Sequence, residues 1–243
     1  MWQVRTPFYQ ALAEIAQKKS DPGVLSMGAG AFLRLEIPAL AARNRGDDEF
    51  VLYTDCDVMF VGDPAPQLAK LRPRYFAIAP ERRAEHRNDV NTGVMLINLR
   101  GMARVDEDFH RFTGAKMEYL PANAFGQAAF VAYFRLFSRA LIERGAPIPV
   151  TQWKGYRLIW GRFYARLPFL DPPLWDALPL ELNWKAYWPQ SAKAVILHFH
   201  GGKPNRPHEV QWQDPVLRPL LNENFEHWSG EWKRVLAQVE LDV

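Results

Sequence analysis

Asp55 and Asp57 stand two residues apart at the end of an apolar run, Phe50-Val51-Leu52-Tyr53-Thr54. In extended chain, residues i and i+2 point the same way, so the two carboxylates share one side and Cys56 turns the other way, toward packing. Acids are costly to bury unless they are paired or hold a cation. Two carboxylates at a strand end make a good seat for a hard divalent ion. The bare Asp-x-Asp pattern equally suits acids that cap a turn or pair with arginine. A third candidate ligand, His198, ends a second apolar run, Ala194 to His198, and Phe199-His200-Gly201-Gly202-Lys203-Pro204 follows it. Two Asp and one His mix oxygen with imidazole, a set that suits Mn²⁺ better than Mg²⁺. Gly201 and Gly202 let backbone approach an anion closely, and Lys203 brings a cation within reach of a phosphate. The same Gly-Gly-Lys-Pro also reads as a plain tight turn. Asn91-Thr92-Gly93 opens a third apolar run, Gly93 to Leu99, and is either a polar site group or a turn at the start of a strand. His86, His110, His208 and His227 lie in polar company and receive no role.

These residues need a sheet to bring them together. An all-apolar approach to polar residues reads as a strand buried on both faces, as in a parallel sheet. In an open α/β sheet, ligands sit outside the carboxyl ends of the strands. The expected class is therefore α/β, a Rossmann-like, mostly parallel sheet flanked by helices. Thr6-Pro7 marks a helix start, with Phe8, Leu12, Ile15 and Ala16 as its apolar stripe and Ser20-Asp21-Pro22-Gly23 as its end. Met27 to Ala31 reads as a flexible lead. Pro38 limits regular structure, with a short helix over Ala39 to Arg43 and a polar turn at Asn44 to Asp48. Further along come a short helix, Ala65 to Leu71, a strand, Tyr75 to Ala79, and a charged loop, Glu81 to Asp89. Helices follow at Arg104 to Lys116 and Ala124 to Phe137. Pro147 to Pro189 is rich in Trp, Tyr and Pro and reads as loops or short edge strands. The tail beyond residue 212 is helical, with Trp228, Trp232, Val235 and Leu236 on one face.

A chain of 243 residues, 48% apolar, suits one α/β domain with a real core. Nine Trp and 13% aromatic residues fit a sugar-binding surface or a Trp-rich core. The net charge is +3 and the pI near 9.0. No basic run is interleaved with aromatics, which argues against nucleic acid. A mildly basic face suits an anionic nucleotide or peripheral contact with a membrane. One cysteine excludes an internal disulfide and fits a reducing compartment. No apolar run approaches a membrane span, and the start lacks the core of a signal peptide. A cytoplasmic location is expected.

Two families place Asp-x-Asp at a strand end, the haloacid dehalogenase-like phosphatases and the metal-dependent glycosyltransferases of the GT-A fold. Four stretches, in order, resemble glycosyltransferase family 8, in particular the bacterial members that transfer galactose or glucose to lipopolysaccharide. They are Phe32-Leu33-Arg34-Leu35 with Pro38, Val51 to Asp57, Asn91 to Asn98, and His198 to Pro204; Asn183-Trp184 also fits. The resemblance covers roughly residues 30–205 of a single domain. It implies a GT-A fold, a nucleotide-sugar donor, usually UDP-linked, and retaining hexosyl transfer. By the same resemblance, Asp55 and Asp57 would bind Mn²⁺ (or Mg²⁺) with the donor diphosphate and ribose, and His198 would be the third protein ligand. Gly201 and Lys203 would touch the leaving diphosphate, Arg34 the donor, and Asn91 the transferred sugar or acceptor. The acceptor, whether glycan, lipid-linked or protein, is left open.

Two departures stand out. Where relatives carry an Asp-Gln pair lining the sugar site, this chain has Gly126-Gln127; Gln127 keeps its role, and restoring an acid at Gly126 is expected to leave the fold intact. About thirty residues precede the Arg-Leu stretch, with no clear first strand for the uracil base, so the chain reads as N-terminally shortened. Two rival readings remain. One is a haloacid dehalogenase-like phosphohydrolase with Asp55 as nucleophile; the other is a non-catalytic remnant that binds sugar or a partner.

Overall fold

A computed structural model describes residues 6–43, 48–81, 90–120, 125–135, 173–205 and 218–241. The first helix, α1 (Tyr9–Lys19), buries Leu12, Ile15 and Ala16, as its stripe predicts. It starts later than the Thr-Pro signal, with Phe8 at the cap, and ends on Ser20 in the left-handed region. Met27 to Ala31 is not a flexible lead. It lies inside α2 (Pro22–Phe32), which opens on Pro22 after Asp21, whose side chain accepts from Gly23 N. A capped start with Pro at the first position outweighs the cost of the helix glycines. A 3₁₀ turn, Leu33–Glu36, leads into α3 (Ile37–Arg43). Pro38 sits in the first turn of α3, where no backbone donor is needed, so it does not interrupt the helix. Pro22–Arg43 is thus one helical stretch, long and apolar enough by length and composition to cross a membrane, which the sequence reading did not anticipate. Val24, Phe32 and Leu35 within it are buried.

Among the described residues seven strands follow or interleave: β1 (Phe50–Thr54), β2 (Val58–Phe60), β3 (Phe76–Pro80), β4 (Val90–Asn98), β5 (Asp176–Ala177), β6 (Trp184–Lys185) and β7 (Ile196–His198). The other helices among the described residues are α4 (Ala65–Leu68), α5 (Leu99–Ala103), α6 (Asp106–Ala115), α7 (Phe125–Tyr133) and α8 (Glu223–Leu241). One sheet has the order β1-β4-β3-β5 and the other β2-β7-β6. In the smaller sheet β2 pairs antiparallel with β7, Val58 opposite His198, and β6 pairs parallel with β7, Lys185 opposite His198. The pairing is mixed rather than mostly parallel, because β7 takes an antiparallel partner on one side and a parallel one on the other. β1 is an edge strand and only half-buried along its length, whereas the interior strands β3 and β4 are almost wholly buried. The apolar approach to Asp55 therefore does not mark a strand covered on both faces.

The chain forms two compact units. The first comprises Met1–Leu52, Arg72–Ala77 and Leu96–Asp176. Its core is aromatic: Phe76, Phe109, Phe130, Tyr133 and Phe134 meet edge-on or tilted, the geometry that ring quadrupoles favour. Gly126 belongs here. A Cβ on it would lie 2.5 Å from the carbonyl oxygen of Ala31. The glycine is what lets α7 approach α2, so the expectation that an acid at 126 is harmless to folding is overturned. The second unit comprises Tyr53–Leu71, Ile78–Met95 and Ala177–Val243. Met59, Ala186, Tyr187, Trp188, Leu197, Phe199 and Phe225 form its core, with Trp228 and Trp232 of α8 packed on it. Val235 and Leu236, expected on that same face, are exposed. Most of the loops expected at Asn44 to Asp48 and Glu81 to Asp89, and the Pro147 to Pro189 region up to residue 172, with His86 and His208, lie outside the described residues. The described part of that region holds the short strands β5 and β6, each at the end of its sheet.

Candidate metal centre

Asp55 and Asp57 sit in the turn between β1 and β2, within the second unit. Backbone bonds hold the turn at both ends: Asp55 N donates to Gly93 O of β4 (2.7 Å), and Phe199 N donates to Asp57 O (2.9 Å). Cys56 between them is exposed, because the chain turns here instead of alternating as a strand. The hydroxyl of Tyr53 donates to Asp55 Oδ1. His198 ends β7, opposite Val58, and is only 1% exposed. One ligand atom from each of Asp55, Asp57 and His198 falls within 4.8 Å of the others.

The residues fit a cation on an observation beyond their types. Asp57 Oδ1 is buried, and among the described residues no donor meets it in good hydrogen-bond geometry. Its nearest partner, His198 Nε2, lies 3.3 Å away, close enough for electrostatic contact but poorly aligned. A buried carboxylate oxygen without a well-placed donor is costly, and a divalent cation held by Asp55, Asp57 and His198 would relieve that cost. Burial by itself would raise the Asp57 pKa, but His198 and Lys203 beside it outweigh that and hold the carboxyl well below its usual range. Burial pushes the His198 imidazole down to about 3, with the charge of Lys185 adding to the effect. Asp57 is thus ionised and His198 neutral near neutrality, the states a metal requires.

Behind His198 lies a polar layer that sequence reading did not foresee. Lys185 is fully buried. Its Nζ donates to Asn183 Oδ1 (2.6 Å) and Asn91 Oδ1 (3.0 Å) and lies 3.2 Å from His198 Nδ1. Asn183 Oδ1 is 3.0 Å from His198 Nδ1, and Asn183 Nδ2 donates to Asn91 Oδ1 (3.3 Å). Gly93 N also donates to Asn91 Oδ1 (3.0 Å). Asn91, expected to meet a sugar or acceptor, is buried and turns its side-chain oxygen to this interior layer. Burial pushes the Lys185 ammonium down to about 7 against the pull of Glu81, Asp57 and Asp55. Gly93 is required where it stands, because a Cβ there would lie 2.1 Å from His198 Cε1. The Asn183-x-Lys185 spacing repeats that of Asp55-x-Asp57, but only the parallel pairing of β6 with β7 brings Lys185 opposite His198.

Lys203 does reach the site, though not as a free cation. Its Nζ binds Asp57 Oδ2 and Phe199 O. Gly201 has φ 93°, which only glycine adopts readily, and Gly202 is packed against the ring of Phe225. His200 is also engaged: its Nε2 lies 3.2 Å from Glu81 Oε1 and its Nδ1 3.4 Å from the Tyr187 hydroxyl. Arg34, buried in the 3₁₀ turn, and Gln127, half-buried on α7, belong to the first unit. The structure brings together Asp55, Asp57, His198, Lys203 and Asn91 of the predicted residues and adds Lys185 and Asn183.

No family model matches the chain, and no curated protein does. Two solved structures of the glycosyltransferase GlyE from Streptococcus pneumoniae TIGR4 resemble it loosely. One is 18% identical, covers 84% of this chain and 46% of that one, and has a TM-score of 0.43. The apo form is 16% identical, covers 96% and 54%, and has a TM-score of 0.42. The chain spans about half the length of that protein, and a likeness this loose assigns no residue a role.

Proposed function

We propose that this chain is a metal-dependent, retaining glycosyltransferase that takes a hexose from a nucleotide-sugar donor, of UDP type, to a glycan, lipid-linked or protein acceptor. The observation that carries the reading is the Asp55, Asp57 and His198 group with its unsatisfied Asp57 oxygen, standing in a sequence that resembles family 8 in four ordered stretches. When bound, Mn²⁺ (or Mg²⁺) held by these three residues would offset the negative charge that gathers on a leaving diphosphate. The chain's own groups have complementary tasks. Lys203 is held beside the site by Asp57 Oδ2 and Phe199 O, from which its flexible stem can turn the ammonium to a phosphate oxygen. Gly201 keeps the backbone there free of a side chain, so that an anion can approach. Tyr53 fixes the rotamer of Asp55 through its hydroxyl. Arg34 and Gln127 are assigned to the donor and its sugar on the resemblance alone. The free Cys56 suits a reducing, cytoplasmic setting.

The test is ligand-dependent melting with Mn²⁺ and a panel of nucleotide sugars, because a ligand that binds only the native state raises the melting temperature. Donor hydrolysis is then measured beside aryl-phosphate hydrolysis. A rise confined to Mn²⁺ with a nucleotide sugar, lost in Asp57→Asn, supports the reading. Aryl-phosphate turnover without nucleotide-sugar binding replaces it with a phosphohydrolase. Binding without turnover of any donor leaves a non-catalytic remnant.

A further inference from the structure

The polar layer behind His198 is larger than burial of one imidazole requires. Lys185 is fully buried, in a part of the chain where an aliphatic residue would cost less. Its contacts make chemical sense only as a set. Nζ is a donor, so the Asn183 atom 2.6 Å from it is the amide oxygen. The amide is held in that orientation from its other end, since Asn183 Nδ2 donates to Asn91 Oδ1. The oxygen so fixed lies 3.0 Å from His198 Nδ1. Among the described residues Nδ1 has two polar neighbours, this oxygen and Lys185 Nζ at 3.2 Å. Nζ turns its protons to the nearer amide oxygens of Asn183 and Asn91. Two acceptors 3.0 Å apart would repel, so Nδ1 donates to Asn183 rather than accepting from Lys185.

We propose that Lys185, acting through Asn183, is a positioning residue that locks His198 in the Nδ1–H tautomer and presents the Nε2 lone pair to a divalent cation shared with Asp55 and Asp57. The inference rests on the metal reading above for its purpose but not for its geometry. Residues that orient a ligating histidine from behind typically change metal affinity 10- to 100-fold when removed, on the order of 1.4 to 2.7 kcal/mol. Lys185 reaches no reacting atom, and its effect passes through the ring.

The test uses the full chain and two readouts. The first needs no metal: ¹⁵N NMR of the metal-free protein separates a protonated from an unprotonated Nδ1 at His198. Wild type should show Nδ1 protonated, and Lys185→Met should show a mixture of tautomers. The second is Mn²⁺ binding by titration calorimetry, where Lys185→Met should lose about 10- to 100-fold with its circular dichroism unchanged. Asn183→Asp keeps an acceptor for Nδ1 and should keep the wild-type tautomer. Asn183→Leu removes the acceptor and should behave as Lys185→Met, so the question stays answerable if one variant does not fold. An Nε2–H tautomer in the wild type overturns the proposal whatever the metal does, as does a Lys185→Met protein with unchanged tautomer and Mn²⁺ affinity. A wild type with the Nδ1–H tautomer that binds no Mn²⁺ keeps the lock and removes the metal reading.

Discussion

Gly126 separates the two ways of reading this chain. By propensity alone, replacing a helix glycine with alanine stabilises by about 1 kcal/mol. The structure reverses that sign. A Cβ at Gly126 would stand 2.5 Å from the Ala31 carbonyl oxygen, where ordinary contact begins near 3.4 Å. Relief requires α7 to retreat from α2 by roughly 0.9 Å, and close-packed interiors resist such a shift. The obstacle is backbone inside a helix, which cannot rotate aside as a side chain can. The helix that must move carries Ala129, Phe130 and Tyr133 in the aromatic core, so the strain reaches the centre of its unit. Overpacking of this kind costs about 1–3 kcal/mol. The propensity gain offsets little of it at the second residue of α7, which leaves a net loss of about 1–2 kcal/mol. In a chain of this size that lowers the melting temperature by about 2–8 °C. Gly126→Asp should lose more, because its carboxylate would face a carbonyl oxygen. Gly30→Ala on α2 is the control: nothing lies within 4 Å of its Cβ, so it should gain up to about 1 kcal/mol. Calorimetric melting of the three variants decides the matter. If Gly126→Ala melts as high as Gly30→Ala, the close approach of α7 to Ala31 is wrong.

Gly93→Ala should displace the His198 ring, whose Cε1 lies 2.1 Å from the new Cβ, and weaken Mn²⁺ binding at least tenfold by calorimetry, an effect the size of a lost orienting residue; unchanged affinity would remove His198 from the site. Lys203→Gln releases Asp57 Oδ2 from its ammonium partner, so free-protein Mn²⁺ affinity should rise while affinity for a nucleoside diphosphate with Mn²⁺ falls; titrations that move together in one direction would refute the dual role. In the first unit, His110 Nε2 meets Glu36 Oε1 at 3.1 Å, and that bond raises the imidazole pKa above its ordinary value, with burial opposing and Asp106 assisting. A raised imidazole pKa adds stability that is complete below the unfolded value of about 6.5 and is lost as pH rises through the folded value. Melting temperature should therefore decline above about pH 6.5, and Glu36→Gln should flatten that part of the profile; a decline of equal size in the variant would exclude the pair as its source.

How much of this was legible in the sequence follows from what each feature depends on. The α1 stripe, the Asp-x-Asp pair and the apolar run into His198 are local patterns, and period and residue type suffice to read them. The chemistry first suggested for Asp55, Asp57 and His198 is legible from residue types, because hard oxygen ligands with one imidazole suit a divalent cation. That they do meet was decided by tertiary structure, through the antiparallel register that sets Val58 against His198. Three local readings failed for nonlocal reasons. Cys56 is exposed because the chain turns there to start β2. The Met27 to Ala31 run is helical because a capped helix start and contacts from neighbouring helices outweigh glycine propensity. Gly126 looked like a vacancy for an acid because the neighbouring carbonyl comes from a residue ninety-five positions away. Lys185 shows the limit most clearly. A lysine between tryptophan and alanine carries no sign of burial, and only the parallel pairing of β6 with β7 places it opposite the imidazole it orients, since register is a property of two strands and not of either one.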